Sequence, residues 1–76
     1  MSDIVKRVNL YFRTANKKEV EYIRENCIFT DRQKQIFEMY YIRRQNVGYI
    51  SDIINVSQIV VNVELKLIRE KIIKLI

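Results

Sequence analysis

Proline is absent from the 76 residues of this chain, and glycine occurs once, at Gly48. These two residues mark the turns of β-hairpins and β-sandwiches, so their scarcity argues against an all-β fold. Isoleucine is frequent and β-branched, but the isoleucines recur at steps of three and four. That is the spacing of a helix and not the alternation of a strand, so the sequence predicts an all-α protein.

Histidine and tryptophan are also absent, and Cys27 is the only cysteine. The chain therefore lacks the ligands of the usual His and Cys metal site and the second thiol of an internal disulfide. It has no histidine base, no clustered pair of carboxylates and no glycine-rich phosphate loop, and Cys27 has no histidine to activate it. We expect no enzymatic activity, no metal and no cofactor, and we interpret Cys27 as a small core residue.

Long apolar runs are missing as well. No run approaches the roughly 18 to 20 residues of a membrane span, and the first ten residues lack the apolar segment of a secretory signal. Together with the single cysteine, this predicts a soluble cytoplasmic protein that does not engage a membrane.

The chain is short and basic. A domain of this size buries only about 60% of the surface that its unfolded chain exposes, which leaves room for self-association. Fourteen Lys and Arg against nine Asp and Glu give a net charge of +5 and a pI near 9.6. This balance favours a polyanionic partner, although many basic proteins bind no nucleic acid.

The N-terminal segment, residues 1–28, is predicted to be helical. Its apolar residues follow one side of a helix: Ile4, Val5, Val8, Tyr11, Phe12, Ala15, Val20, Ile23 and Cys27. Asn16 followed by Glu19 has the form of a capping box and favours two helices, but no Gly or Pro enforces the break and one continuous helix stays open. The segment has a net charge of only +2, so we interpret its charges as a solvated outer face.

Thr30 opens the next helix. Gln33 lies three residues on, where its side chain can return the capping hydrogen bond, and Asp31 suits the positive end of the helix dipole. The helix is expected to run to about Arg44. Its core-facing residues would be Ile36, Phe37, Met39, Tyr40 and Ile42. We interpret the aromatic side chains here as core and not as a platform for stacking bases.

Asn46 opens a short helix, Val47–Ile54, whose core-facing residues would be Ile50, Ile53 and Ile54. Arg43 and Arg44 stand just before it. A helix N-terminus presents unpaired N–H groups that bind phosphate, and adjacent arginines add charge-assisted hydrogen bonds. A nucleic-acid phosphate is therefore expected at this N-terminus, and solvated loop arginines are an alternative of equal weight.

Asn55 tolerates the left-handed conformation that follows a helix, and Ser57 caps the last helix. From Ser57 to Ile76 the apolar residues recur at heptad spacing: Val61, Leu65, Ile68, Ile72 and Leu75. The first half of this seam would lock the helix onto the domain. Residues 68–76 would pack on the N-terminal helix or on a second copy of the protein.

The predicted architecture is one domain, a small bundle of four to five helices that contains a helix-turn-helix and a long C-terminal helix. It comprises the N-terminal segment 1–28, a helix-turn-helix unit 29–69, and residues 70–76 that extend the last helix. The segments FTDRQKQIFEMYY, NVGYISDIINVS and VVNVELKLI resemble the helix-turn-helix of region four of bacterial RNA polymerase sigma factors and of LuxR-type regulators. The resemblance covers about residues 29–69.

This resemblance implies a transcriptional regulator that binds double-stranded DNA. It implies base-facing side chains at Ser57, Gln58, Ile59, Asn62, Val63 and Lys66. The resemblance also implies DNA-binding residues near the phosphates: Arg32, Lys34, Arg43, Arg44 and Asn46. The Lys- and Ile-rich composition is associated with the A·T-rich genomes of some bacteria and phages.

The last helix departs from these families on its outer face. Where they usually carry hydroxyl or basic side chains, this chain has Ile59, Val60 and Val63. Gln58 and Asn62 can still bind adenine, and apolar groups can contact a thymine methyl, so an A·T-biased site fits the sequence. The leading hypothesis is a small DNA-binding transcriptional regulator, acting as a homodimer, with the last helix from Ser57 onward in the major groove.

The same apolar residues support a second hypothesis, because exposed apolar strips usually mark interfaces. In this alternative the last helix binds a second copy, RNA polymerase or another protein. The partner interface would then be formed by Val60, Val63, Leu67, Ile72 and Ile76.

Overall fold

A computed structural model describes residues 3–76, and all regular structure in that range is helical. The helices are α1 Asp3–Thr14, α2 Lys17–Asn26, α3 Asp31–Phe37 with a π-helical turn at Glu38–Ile42, α4 Val47–Ile54, and α5 Gln58–Ile73. Within the described range there is no strand. The predicted all-α class with a long C-terminal helix is confirmed.

Backbone contacts divide the described chain into two compact units. The first unit contains the described residues up to Ile28 together with Arg69–Ile76, and the second is Phe29–Ile68. Helix α5 therefore contributes its longer first part to the second unit and its last residues to the first.

In the first unit, α1 and α2 are separate helices. The Glu19 amide donates to Asn16 Oδ1 at 2.9 Å, and the Asn16 amide donates to Glu19 Oε1 at 3.1 Å, which completes the predicted capping box. Because this reciprocal cap starts a new helix at Lys17, the helical structure is interrupted at Ala15 and Asn16 without any Gly or Pro. The favoured two-helix prediction is confirmed.

The C-terminal residues of α5 are bound within the first unit. Ile72 is fully buried, and the Lys71 ammonium donates to the Ile28 carbonyl at 2.8 Å. The Arg7 guanidinium donates to the Ile76 carbonyl at 3.4 Å. Of the two predicted destinations for residues 68–76, the contacts of Arg69–Ile76 thus favour the N-terminal helices of the same chain.

Helix α3 begins at the predicted cap but ends differently from the prediction. Thr30 and Gln33 form the reciprocal capping box, and the π turn then replaces the α-helix expected to continue to Arg44. An unbroken α-helix would put Arg44 two turns beyond Phe37 on the buried face. The π turn replaces that continuation: the helix ends at Ile42, Tyr41 is buried, and Arg44 is exposed.

Helix α4 has the predicted bounds and cap, but one predicted core residue is wrong. Ile50 is fully buried, whereas Ile53 is 56% exposed. The second buried residue of α4 is Ser51, so the buried face is centred between Ile50 and Ser51. At about 100° per residue, Ile53 lies well away from that centre and turns to solvent.

A three-residue turn joins α4 to α5. Asn55 is left-handed, with φ 58° and ψ 48°, and the Val56 amide donates to the Ser51 carbonyl at 3.1 Å, the hydrogen bond of a Schellman motif. Ser57 Oγ then accepts from the Val60 amide at 3.2 Å and caps α5. The second unit therefore has the helix, short turn and helix order of a helix-turn-helix.

Candidate nucleic-acid interface

Helix α5 has a buried and an exposed side in the second unit. Val61, Leu65 and Ile68 are at most 1% exposed and fix the helix on its unit. The predicted base-facing residues are all exposed: Ser57, Gln58, Ile59, Asn62, Val63 and Lys66. The side chains that the resemblance assigns to base contacts therefore share a solvent-facing side of a helix whose other side is anchored.

The N-terminal turn of α4 lies beside the start of this exposed side. A methyl group added at Gly48 would lie 3.4 Å from Asn46 Oδ1 and 3.5 Å from Gln58 Nε2, so both amide side chains flank Gly48. Asn46 Oδ1 also accepts from the Tyr49 amide at 2.8 Å. The structure thus brings Asn46 and Gln58 together, with the oxygen of Asn46 used as a helix cap and its amide nitrogen left as the donor.

Arg43 and Arg44 form the turn before α4, and both side chains are exposed. Arg44 has φ 59°, a left-handed conformation that costs a residue with a Cβ roughly 1 to 2 kcal/mol. The backbone N–H of Gln45 donates to the Met39 carbonyl at 2.9 Å, and this hydrogen bond closes the turn that contains both arginines. Strained residues cluster at binding sites, so Arg44 is a candidate for a functional role.

Arg32 and Lys34 are exposed but are not part of this turn. They lie near the start of α3, and at 1.5 Å per helical residue Arg32 is about 16 Å along the helix from Arg43. The four predicted phosphate-contacting arginine and lysine residues therefore form two separate basic pairs: Arg32 and Lys34 in α3, and Arg43 and Arg44 after the π turn.

Charge is distributed unevenly between the two units. Residues 29–68 contain five basic and four acidic side chains, which gives a net charge of +1. Its basic residues are Arg32, Lys34, Arg43, Arg44 and Lys66, and its acidic residues are Asp31, Glu38, Asp52 and Glu64. The remaining +4 of the chain belongs to residues 1–28 and 69–76. The second unit thus has only a small net positive charge.

Gln33 joins α3 to α5, a role that the sequence reasoning missed. Its side chain is 4% exposed; Oε1 accepts from the Thr30 amide at 3.2 Å, and Nε2 donates to Glu64 Oε1 at 3.4 Å. The sequence does contain a signal for this role: the capping box has Gln where Glu is also common, and only the Gln side chain has an N–H that can donate to a carboxylate such as that of Glu64.

The residues predicted to bind a protein partner are dispersed. Val63 is 53% and Leu67 40% exposed, Val60 and Ile76 are half-buried, and Ile72 is fully buried. Ile72 belongs to the core of its own chain, because the end of α5 packs within the first unit. The exposed apolar residues of α5 are instead Ile59, Val63 and Leu67, with Ile59 at 75%.

Cys27 lies in the first unit and is half-buried. Burial raises the pKa of its thiol above the ordinary value, and the nearby Lys71 ammonium opposes that shift. The thiolate is the nucleophilic form, so the raised pKa fits a packing role. Among residues 3–76 no cluster of three His, Cys, Asp or Glu side chains could hold a metal ion. No helix in that range is long and apolar enough to cross a bilayer.

Comparison with known proteins gives a short similarity. No protein-family model matches the chain, and no solved structure matches it. A UPF0122 protein from Caldanaerobacter subterraneus subsp. tengcongensis is 44% identical over 32 residues. The matched part is 42% of this chain and only 27% of the relative, so this chain corresponds to about a quarter of that protein.

Proposed function

We propose that this protein is a non-enzymatic helix-turn-helix protein that binds duplex DNA and regulates transcription. The observation that carries the proposal is the anchored helix α5, whose exposed side presents Gln58, Asn62 and Lys66 while its other side is buried. The resemblance of residues 29–69 to the helix-turn-helix of sigma region four supports it.

In this proposal the first turns of α5 lie in the major groove, which is wide enough to admit an α-helix. Gln58 and Asn62 have the donor and acceptor pair that binds the N6 and N7 edge of adenine. Lys66 lies one turn further along the same side. The buried seam keeps these side chains at fixed spacing, which limits the entropy lost on binding.

The N-terminus of α4 is the proposed phosphate site. The positive end of its dipole and the N–H groups of its first turn, apart from that of Tyr49 which Asn46 caps, favour an anion, and Arg43 and Arg44 precede it. Arg32 and Lys34 would contact a different part of the DNA backbone, since they lie roughly 14 to 16 Å from Arg43 along α3 and the π turn that follows it. Four neutralised phosphates predict a slope of log affinity against log salt of about −3.6.

A titration of the full chain against labelled random and A·T-rich duplexes between about 50 and 200 mM salt tests the proposal. We expect salt-dependent binding that weakens in Arg43→Ala, with a slope reduced by about one. Arg13→Ala is the matched control, because it removes the same charge from an exposed position of α1. No binding at low salt, or equal loss in both variants, would contradict the proposal.

A second function, a protein-interaction module on the same scaffold, is favoured by the exposure of Val63 and Leu67. The partner would be a second copy, RNA polymerase or another protein that covers these side chains. Sedimentation of the wild type and of the Leu67→Lys variant tests whether the partner is a second copy of the chain. A wild-type dimer that dissociates in the variant supports homodimerisation, and a monomeric wild type contradicts it.

A further inference from the structure

The exposed side of α5 carries two apolar side chains next to polar ones. Ile59 is 75% and Val63 53% exposed, and they lie four residues apart, one turn of the helix. Asn62 and Lys66 are exposed on the same side. Contiguous exposed apolar side chains mark binding surfaces, and the residues beside them indicate the chemistry of the partner.

Among the edges of the base pairs in the major groove, the apolar group is the C5 methyl of thymine. Ile59 and Val63 are separated by about 6 Å along the helix axis, which is close to two base steps of about 3.4 Å. Asn62 lies between them in sequence and has the amide that binds adenine in a bidentate way. An amide side chain that lies between two apolar side chains along the helix thus has a spacing that suits neighbouring A·T pairs.

We propose that Ile59 and Val63 contact thymine methyl groups, so that the protein selects A·T-rich duplexes by direct apolar readout. This inference rests on the proposed DNA-binding function and assigns its substrate class. With a net charge of only +1, the second unit gains little from phosphate attraction, so methyl contacts would supply affinity that does not depend on counterion release.

The neighbours of the two side chains favour DNA over a protein surface. Protein interfaces are depleted of lysine at their centres, yet Lys66 stands on the same side of the helix between Val63 and Leu67 in sequence. The Gln58 amide and the N-terminus of α4 adjoin the start of this side, so an amide that can bind a base lies beside the phosphate site proposed above.

The test compares an A·T-rich duplex with the same duplex in which every thymine is replaced by uracil, which removes only the C5 methyl. We expect the wild-type chain to bind the thymine duplex about fourfold more tightly for each contacted methyl, or roughly 15-fold for two. The Ile59→Ala/Val63→Ala double variant should bind both duplexes alike. Leu10→Ala, which removes a 59% exposed side chain from α1, is the control and should keep the thymine preference.

Each outcome decides one of the two claims. If the wild type binds neither duplex at low salt, the proposed function fails and the inference with it. If it binds thymine and uracil duplexes equally, or if the double variant keeps the preference, the inference alone fails and DNA binding stands. Sedimentation of both proteins completes the test: a wild-type dimer that the double variant abolishes, without a thymine preference, assigns the two side chains to self-association and overturns the inference. Circular dichroism checks that the variants fold, as expected for exposed positions.

Discussion

At the scale of single residues, two non-glycine residues within the described range 3–76 have a left-handed backbone, and they differ in how well their residue type tolerates it. Asn55, at φ 58°, closes α4 and is a residue type that tolerates this conformation. Arg44, at φ 59°, is not. The asparagine was predictable from its position after a helix, whereas the arginine was not, because nothing in its residue type indicates a left-handed backbone.

We expect Arg44→Gly to separate stability from binding. Glycine relieves the left-handed strain, which offsets the lost side-chain contacts, so the free energy of unfolding should change by less than about 1 kcal/mol. Loss of the cation should weaken duplex binding by roughly tenfold, as for one charge-assisted hydrogen bond. Urea unfolding and duplex titration measure the two effects. Asn55→Gly is the control at an equivalent backbone position and should leave binding unchanged; equal affinity of the Arg44 variant and the wild type would contradict this role.

At the scale of elements, the sequence predicted what is decided locally. The caps at Asn16, Thr30, Asn46 and Ser57 each form the predicted side-chain hydrogen bond, because a cap depends on residues within one turn. The seam of α5 was also predictable, since Val61, Leu65, Ile68 and Ile72 repeat with helical period and are all buried.

The π turn was not predictable from the sequence, because it depends on how the aromatic side chains pack together. The ring centroids of Phe37 and Tyr41 lie 5.9 Å apart, and those of Tyr40 and Tyr41 lie 4.9 Å apart in an edge-to-face arrangement. Periodicity alone allowed Tyr40 or Tyr41 to face the core. The same limit applies to Ile53, whose exposure follows from the choice of Ser51 as a buried residue of α4.

At this scale we also expect Gln33 to stabilise the second unit. Gln33→Ala removes the hydrogen bonds to Thr30 and Glu64 and leaves a cavity, so the free energy of unfolding should fall by about 1 to 3 kcal/mol. Gln35→Ala, at an exposed position of the same helix, should change it by less than about 0.5 kcal/mol. Urea unfolding of both variants tests the expectation, and equal stabilities would show that the Gln33 contacts contribute nothing.

At the scale of the whole molecule, two features that suit nucleic-acid binding lie in different units. The exposed side of α5 and the N-terminus of α4 belong to the second unit, with a net charge of +1, whereas the residues of the first unit carry +4. Composition predicted a basic protein but not this distribution, since assignment of residues 69–76 to the first unit requires the tertiary contacts. The basic pI by itself therefore does not locate the binding surface.

The measurement that tests the central claim most directly is amide chemical-shift mapping of the full chain by NMR during titration with an A·T-rich duplex. If α5 reads the duplex, the largest perturbations will lie at Gln58, Asn62 and Lys66 and at the first turn of α4, while Ile4 to Arg13 of α1 will change little. Perturbations confined to the basic first unit, or none at low salt, would contradict the claim.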